Sequence, residues 1–362
     1  MFARCSQRVL NPFRFSLPIV PKSGMHLYFK STPDFFFLPI TNQNVARSFT
    51  MASDPSTYKL NHTMLRVKDP QRSVEFYKFL GMSQVIKMDV PEGKFTNYFM
   101  AYTGPNSLNG DRHFTDLQGI VELCHNWGTE NDPEYSVVNG NTEPYRGFGH
   151  LAISVDNIEA ACKRIEDAGY TFQKKLTEGR MRHIAFAKDP DGYWVEIIKR
   201  ADENLSTTTD PGSYRLNHSM LRVKDAEASL KFYQESMGMT LVRTVENPDN
   251  KFNLYFLAYA KVPEDGKTSD MEGLLELTWN YGTEKEEGPV YHNGNTAPQG
   301  FGHICISTDD LQAACDRFES LNVNFKKRLT DGMMKNIAFV LDPDGYWIEV
   351  IQNERIKRTS NW

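Results

Sequence analysis

Histidine and glutamate residues recur at matching positions in the two halves of this sequence, and together they suit a divalent metal ion. Nine histidines occur, and four of them match one another between the halves. The matched residues are His62, His218, His150 and His303, with Glu122, Glu276, Glu196 and Glu349. Imidazole and carboxylate ligands are typical of transition-metal sites, and the absence of cysteine from this matched set disfavours a thiolate-rich structural zinc site. Four protein ligands would leave room on the ion for substrate oxygens, as Lewis-acid catalysis requires.

Other repeated residues have simpler explanations. A single histidine more often completes a hydrogen bond in a core than binds a metal, but clustered histidines and carboxylates indicate a site. Asp225, like its counterpart Asp69, precedes a predicted helix and is explained as an N-cap. The DPDG strings at 189–192 and 342–345 are predicted to be turns without chemistry. Trp194 is as readily a packing residue as a substrate contact.

The predicted ligands lie in β-strands whose alternation directs neighbouring side chains into one cleft. His62 and Arg66 are four residues apart in such a segment, so their side chains face the same way. Glu122 and Asn126 have the same relation. An arginine on that face of an apolar strand is costly to bury unless it meets an anion. A substrate carboxylate is therefore expected beside the metal.

Each half is predicted to contain two modules of β-α-β-β-β order, with a histidine early in the first strand and a glutamate in the last. Asp69 is the expected cap of the first helix, with Pro70 at its first position. Asp156 is the expected cap of the second helix. Later strands are expected at 95–102 and 119–127. Modules this small cannot bury a core alone, so they must pair, and a curled sheet closed by a partner leaves a cleft.

The repeat divides the chain into two domains. Residues 58–69 read YKLNHTMLRVKD, and residues 214–225 read YRLNHSMLRVKD. The expected division is a basic leader at 1–57, a first domain at 58–200, a linker at 201–213, a second domain at 214–353 and a tail at 354–362. The linker assignment rests on a polar segment rich in threonine and serine.

Composition excludes several classes of function. The net charge of −5 gives no basic footprint for nucleic acid, and no apolar run approaches the roughly 18–20 residues of a membrane span. Five cysteines without a CxxC pair suit a reducing compartment. The leader, with six basic residues and one acid in its first fifty positions, indicates a mitochondrial transit peptide, a disordered leader or a chain translated from Met51. The expected location is cytoplasmic, with a mitochondrial form through this leader.

Several strings in a fixed order carry a resemblance to a known family. They are MLRVKD, ELxxNxGTE, NGNT, GFGH and DPDGYW, and each occurs in both halves. From residue 58 to about 353, the chain resembles glyoxalase I (lactoylglutathione lyase) of the vicinal oxygen chelate superfamily, in its tandem, fungal-type form. The resemblance implies an α+β fold with four βαβββ modules in two tandem domains, whose curled mixed sheets form metal-lined clefts.

The same resemblance implies a reaction. The substrate would be the hemithioacetal of methylglyoxal and glutathione, and the product S-D-lactoylglutathione. Zinc, with nickel as the alternative, would bind once per centre and stabilise an enediolate. Glu196 and Glu349 would act as the bases, each leaving the metal to move a proton from C1 to C2. Because the fused halves replace a dimer, the chain is expected to be a monomer.

Site residues follow from the same resemblance. One centre would combine His62 and Glu122 with His303 and Glu349, and the other would combine His218 and Glu276 with His150 and Glu196. Glutathione would be held by Arg66, Asn126 and Lys327 in the first centre, and by Arg222, Asn280, Arg146 and Lys174 in the second. One departure separates the centres, because Gln299 stands where the other copy has arginine. The first centre is therefore expected to bind glutathione conjugates more weakly.

Three rival functions remain open from the sequence. Extradiol dioxygenases of the same superfamily use two histidines and one glutamate around Fe(II), but here a second glutamate occurs in both halves. A metal-free binding module would not need the histidine and glutamate set. A chain with one catalytic and one regulatory half is disfavoured because all eight predicted ligands are present.

Overall fold

The first half folds into two modules of the predicted order. The computed structural model describes residues 53–105, 107–110, 112–179, 181–200, 207–332 and 334–354. The first module contains β1 (Lys59–Val67), α1 (Pro70–Phe79), β2 (Ser83–Val90), β3 (Phe95–Ala101) and β4 (Ile120–Asn126). The second contains β5 (Phe148–Val155), α2 (Ile158–Asp167), β6 (Phe172–Lys174), β7 (Ile184–Lys188) and β8 (Trp194–Lys199).

The second half repeats this order. Its first module contains β9 (Arg215–Val223), α3 (Ala226–Lys231), β10 (Thr240–Asn247), β11 (Phe252–Ala258) and β12 (Leu274–Asn280), and a π-helical turn at Phe232–Ser236 extends α3. Its second contains β13 (Phe301–Thr308), α4 (Leu311–Ser320), β14 (Asn324–Lys327), β15 (Ile337–Leu341) and β16 (Trp347–Gln352). The predicted α+β class is confirmed. No helix in the described ranges is long and apolar enough to cross a membrane.

Each sheet joins modules from opposite halves of the chain. One sheet has the strand order β14-β15-β16-β13-β1-β4-β3-β2, and the other has β10-β11-β12-β9-β5-β8-β7-β6. The seams are the antiparallel pairs β1 with β13 and β5 with β9. Parallel pairs flank each seam, so the sheets are mixed, as predicted. Every module thus shares hydrogen bonds with a module of the other half.

Helix capping follows the sequence at one position and departs from it at another. The Asp69 carboxylate accepts hydrogen bonds from the backbone N–H groups of Gln71 and Arg72, as predicted for the start of α1. The predicted cap Asp156 is wrong, because Asn157 has the extended backbone of an N-cap and accepts from the N–H of Ala160. The Asp156 carboxylate instead accepts hydrogen bonds from the hydroxyl of Thr209 and the backbone N–H of Asp210.

The two DPDG turns connect neighbouring modules rather than only reversing the chain. Asp191 Oδ1 accepts a hydrogen bond from the N–H of Lys68 at 3.1 Å, and Tyr193 Oη donates to the carbonyl of Arg66 at 3.1 Å. Asp189 is buried among these groups, and its burial raises its pKa to about 8. The turn therefore fixes the end of β1 that carries Arg66.

Several predicted segments lie partly outside the described residues. These are the leader up to residue 52, the first part of the linker at 201–206 and the tail from residue 355. Residues 53–57, at the end of the expected leader, contain the turn Pro55–Thr57 capped by Asp54. Ser53 donates a hydrogen bond to the Asp309 carboxylate at 3.0 Å, so this short segment packs against the second half.

Candidate metal centres

The first centre gathers side chains from four strands of one sheet. His62 Nε2 on β1 lies 2.9 Å from Glu122 Oε2 on β4 and 3.1 Å from Glu349 Oε2 on β16. It lies 3.2 Å from His303 Nε2 on β13. His303 Nε2 lies 3.3 and 3.5 Å from Glu122 and Glu349. Because β1 and β4 come from the first half, whereas β13 and β16 come from the second, both halves are needed to complete the cluster.

The second centre repeats this arrangement in the other sheet. His218 Nε2 lies 3.0 Å from Glu276 Oε2 and 3.3 Å from Glu196 Oε2. His150 Nε2 lies 3.2 Å from His218 Nε2, and 3.4 and 4.0 Å from the Glu196 and Glu276 carboxylates. All eight predicted ligands are thus brought together in the two groups expected from the resemblance.

The separations within the first centre fit one shared divalent ion. Ligand atoms about 2.0–2.1 Å from a metal lie roughly 3 Å apart at right angles and roughly 3.4 Å apart at tetrahedral angles. The five separations given above for the first centre, from 2.9 to 3.5 Å, span this range. Two imidazoles and two carboxylates are also a suitable donor set for a divalent transition metal. The residues present therefore fit the metal that the sequence predicted.

In each centre, contacts between histidines and glutamates outweigh the effect of burial on the pKa of a side chain. Burial alone would raise the pKa of Glu349, but hydrogen bonds from His303 and His62 outweigh it and hold that pKa below its usual range. Burial would also lower the pKa of His218, yet hydrogen bonds to Glu196 and Glu276 raise it to about 9. Glu349 is therefore anionic at neutral pH, and protons compete with a cation for the same cluster.

An asparagine beside each β1 or β9 histidine orients the imidazole ring. Asn61 Oδ1 accepts a hydrogen bond from His62 Nδ1 at 2.8 Å, which leaves Nε2 facing the cluster. Asn61 is fully buried and donates through Nδ2 to the carbonyls of Phe114 and Leu117. Asn217 orients His218 in the same way at 2.8 Å. Sequence reasoning missed this pair, although the repeated Asn-His dipeptide was visible.

The two arginines on the cleft faces are held by neutral carbonyl groups. Arg66 Nη1 donates to the carbonyls of Gly294, Gly300 and Phe301, and Nη2 donates to Asn295 Oδ1 at 2.9 Å. Arg222 makes the equivalent bonds in the other sheet. Burial of these guanidinium groups therefore does not require a substrate anion, so the sequence argument for a carboxylate there was incomplete.

The remaining predicted glutathione contacts occupy different settings. Asn280 Nδ2 donates to Tyr291 Oη at 2.9 Å, and Asn126 lines the first cleft. Lys327 Nζ donates to three backbone carbonyls, among them those of Met334 and Ile337. Lys174 makes matching bonds in the other sheet. Both ammonium groups thus hold the loop beside their centre, and glutathione would have to compete for them.

The first centre lies in a cleft with a cavity of about 620 Å³. His62, Glu122, His303 and Glu349 all line it, and so does the predicted contact Arg66. Glu349 is 9 % exposed against 3 % for Glu122, so Glu349 is the more accessible carboxylate. The same order holds in the second centre, with 8 % for Glu196 and 4 % for Glu276.

The two centres differ in their immediate neighbours. Gln299 lines the first cleft, and Arg146 stands at the equivalent position of the other copy. Burial is the larger cause that lowers the pKa of Arg222, and the positive charge of Arg146 lowers it further. Arg146 also pairs with Glu143 at 3.3 Å. In the first centre the buried Cys305 pairs with His62 across the seam of β1 and β13, and Ala152 stands at the equivalent position in the second copy. The centres are therefore similar but not equivalent.

Comparison with known proteins agrees with this architecture. The profile of the Glyoxalase/Bleomycin resistance protein/Dioxygenase superfamily matches residues 59–197 and 215–350. The chain is 50 % identical over 304 residues to a lactoylglutathione lyase of Schizosaccharomyces pombe, covering 83 % of this chain and 99 % of the relative. It is 46 % identical over 307 residues to a glyoxalase I of Saccharomyces cerevisiae, covering 83 % of this chain and 94 % of the relative.

A solved structure has a similar fold. Crystalline glyoxalase I from Zea mays superposes with a TM-score of 0.61 and 28 % identity, covering 83 % of this chain and 95 % of the maize chain. The chain belongs to the Glyoxalase/Bleomycin resistance protein/Dioxygenase superfamily. Within it, the predicted relationship to glyoxalase I is confirmed.

Proposed function

We propose that the chain is a lactoylglutathione lyase with two active centres. The observation that carries this function is the pair of buried histidine and glutamate clusters, the first of which opens into a cleft lined by an arginine and an asparagine. Full-length relatives named lactoylglutathione lyase and glyoxalase I share 46–50 % of their residues with this chain. The substrate is the hemithioacetal of methylglyoxal and glutathione, and the reaction removes methylglyoxal.

The reaction is an isomerisation that neither adds nor removes atoms. The C–H bond at C1 of the hemithioacetal breaks and a C–H bond forms at C2, so C1 is oxidised to the thioester carbonyl and C2 is reduced to the alcohol. A metal-centred Lewis acid would polarise the two substrate oxygens. The chain must therefore supply a base that takes one proton and returns one.

Glu349 and Glu196 are the proposed bases. Each is the more exposed carboxylate of its centre, so each can meet a substrate in the cleft. Hydrogen bonds from the histidines keep both anionic, which is the state a base requires. Glu122 and Glu276 are more deeply buried and are assigned to metal binding alone. Arg66 and Arg222, already fixed by carbonyls, would position the glutathione moiety.

Zinc is the proposed metal, one ion per centre. Two imidazole nitrogens and two carboxylate oxygens match its ligand preferences, and nickel is compatible with the same set. We also propose that one chain is the working unit, because each centre is completed within it. The cytoplasmic location, with a mitochondrial form through the leader, stays a prediction, since residues 1–52 lie outside the described part of the chain.

The test follows formation of the thioester by its ultraviolet absorbance after the metal-loaded chain is added to equilibrated methylglyoxal and glutathione. The wild-type chain should produce the thioester. Glu196→Gln and Glu349→Gln should each leave the other centre active, and the rate of the double variant should fall by about 10²–10⁴-fold. Glu92→Gln, at an exposed glutamate, is the control. No thioester with zinc, nickel, cobalt or manganese would contradict the function, and oxygen uptake with a catechol would favour a dioxygenase.

A further inference from the structure

One wall of the first cleft carries an amide oxygen that no protein group in the described ranges satisfies. Phe95, Asn97 and Phe99 occupy alternate positions of β3, so all three face the cleft, and all three line the cavity. Asn97 Oδ1 is buried and has no hydrogen-bond partner among the described residues. It is also the only such atom in the described ranges whose residue lines this cavity. A buried acceptor without a partner is costly, so a ligand group is expected to complete it.

Asn97 lies on the wall next to the first centre. The Phe99 ring lies edge-on to His62 with centroids 5.4 Å apart, and Asn97 is two residues further along the same strand. Its neighbour across the strand pair is Met88 on β2, which also lines the cavity. Arg66, the proposed glutathione contact, lies on β1 beyond β4. Asn126, another proposed glutathione contact, pairs with Phe95 at the other end of this wall, so the aldehyde side chain would lie against the part nearest the centre.

The second centre has no equivalent amide. Leu254 occupies the position of Asn97, between Phe252 and Phe256, and packs with Val242 and Phe256 in an apolar cluster. Asn247 stands where the first copy has Val90, but its side-chain oxygen already accepts a hydrogen bond from Asn250 at 2.8 Å. The wall of the second centre is therefore apolar at the position where the first offers an unpaired amide.

We propose that the first centre selects hemithioacetals of 2-oxoaldehydes that carry a hydroxyl group on the aldehyde side chain, and that Asn97 is the residue that determines this selectivity. A side-chain hydroxyl can donate to Asn97 Oδ1, whereas the methyl group of methylglyoxal leaves it unpaired. Leu254 offers no hydrogen bond to the same hydroxyl, so the second centre should bind the hydroxylated substrate no better than the methyl substrate. This selectivity rests on the lyase activity proposed above, and the added hydroxyl takes no part in the isomerisation.

The experiment compares two substrates in chains with one silenced centre. Hydroxypyruvaldehyde and methylglyoxal, each equilibrated with glutathione, give a ratio of kcat/KM values for each chain. With Glu196→Gln silencing the second centre, Asn97→Leu should lower the ratio of the hydroxylated to the methyl substrate by about threefold to tenfold. With Glu349→Gln silencing the first centre, Leu254→Asn should raise it by a similar factor.

Each swap uses the residue that the equivalent strand of the other copy carries at that position, so both side chains already occur in this strand setting. Asn97→Ala serves as a second variant, because it removes the amide without adding bulk, and it should lower the ratio as well. Unchanged ratios in all three variants would overturn the selectivity while leaving the lyase function intact. A wild-type chain that converts neither aldehyde would instead contradict the lyase function itself.

Discussion

At the scale of single residues, Asn61 and Asn217 are the clearest addition to what the sequence suggested. A neutral imidazole carries its proton on either ring nitrogen, and only the form protonated at Nδ1 offers Nε2 to a metal. The bond of 2.8 Å from His62 Nδ1 to Asn61 Oδ1 selects that form. Partners of this kind raise the affinity of metal sites, so the two asparagines are positioning residues rather than ligands.

Replacing Asn61 should weaken metal binding at the first centre only. Asn61→Ala removes the acceptor for His62 Nδ1, and we expect the metal affinity of that centre to fall by about 10–100-fold. Asn217→Ala, the matched change in the other copy, should instead weaken metal binding at the second centre only. Competition with a chelator measures the affinity, and nitrogen NMR of the histidines reports the tautomer. Loss of thermal stability with an unchanged tautomer and affinity would mean that Asn61 is only structural.

Gln299 and Arg146 provide a test of how the two centres differ. Glu196→Gln leaves only the first centre active, and Glu349→Gln leaves only the second. We expect the KM for the hemithioacetal to be higher for the first centre. A charged contact is worth roughly 1.5–3 kcal/mol when buried, but Arg146 is 39 % exposed and already paired with Glu143. The expected difference in KM is therefore about twofold to fivefold. Gln299→Arg should reduce it, and equal KM values in the two parent chains would contradict it.

At the scale of elements, the loop before β12 carries a carboxyl group in an unfavourable setting. Glu272 is 3 % exposed, its Oε1 has no partner in the described part of the chain, and Asn109 donates to Oε2 at 3.2 Å. Burial is the largest cause that raises its pKa from 4.5 to about 7. Between pH 4.5 and about 7, the folded state retains a proton that the unfolded state has released. This group therefore lowers the free energy of unfolding as the pH rises through that range.

Glu272→Gln should therefore stabilise the protein in a pH-dependent way. The first copy has Gln118 at this position, so the loop accommodates an amide. We expect the free energy of unfolding to rise by about 1–3 kcal/mol at pH 8 and the gain to shrink towards pH 5. Denaturant unfolding at several pH values measures this, with the exposed Glu92→Gln as control. A gain that is the same at every pH would exclude the assigned ionisation.

The elements also show which parts of the fold sequence patterns could predict. The module order and the strands carrying the ligands follow apolar alternation, and Asp69 is a cap as predicted. The edge strand β2 was not placed, because most of its residues are exposed and it lacks an apolar face. The hydrogen-bond partners of Asp156 and the carbonyl contacts of Arg66 could not be predicted from the sequence. Both depend on segments that only tertiary folding brings close.

At the scale of the whole molecule, the central feature is the exchange of modules between halves. The seam between β1 and β13 places His62 beside His303, although 241 residues separate them in the chain. Strand periodicity alone does not determine this partner, because each half contains a complete set of two histidines and two glutamates. The grouping came from family resemblance, and the structure reproduces it in both sheets.

The most direct test of this architecture counts metal ions in two double variants. His62→Ala with His303→Ala removes residues of opposite halves but of one centre, so the chain should keep one divalent ion and the activity of the second centre. His62→Ala with His150→Ala removes residues of one half but of both centres, so the chain should lose both ions and nearly all activity. The opposite pattern, with the second variant keeping one ion and the first keeping none, would contradict centres shared between the halves.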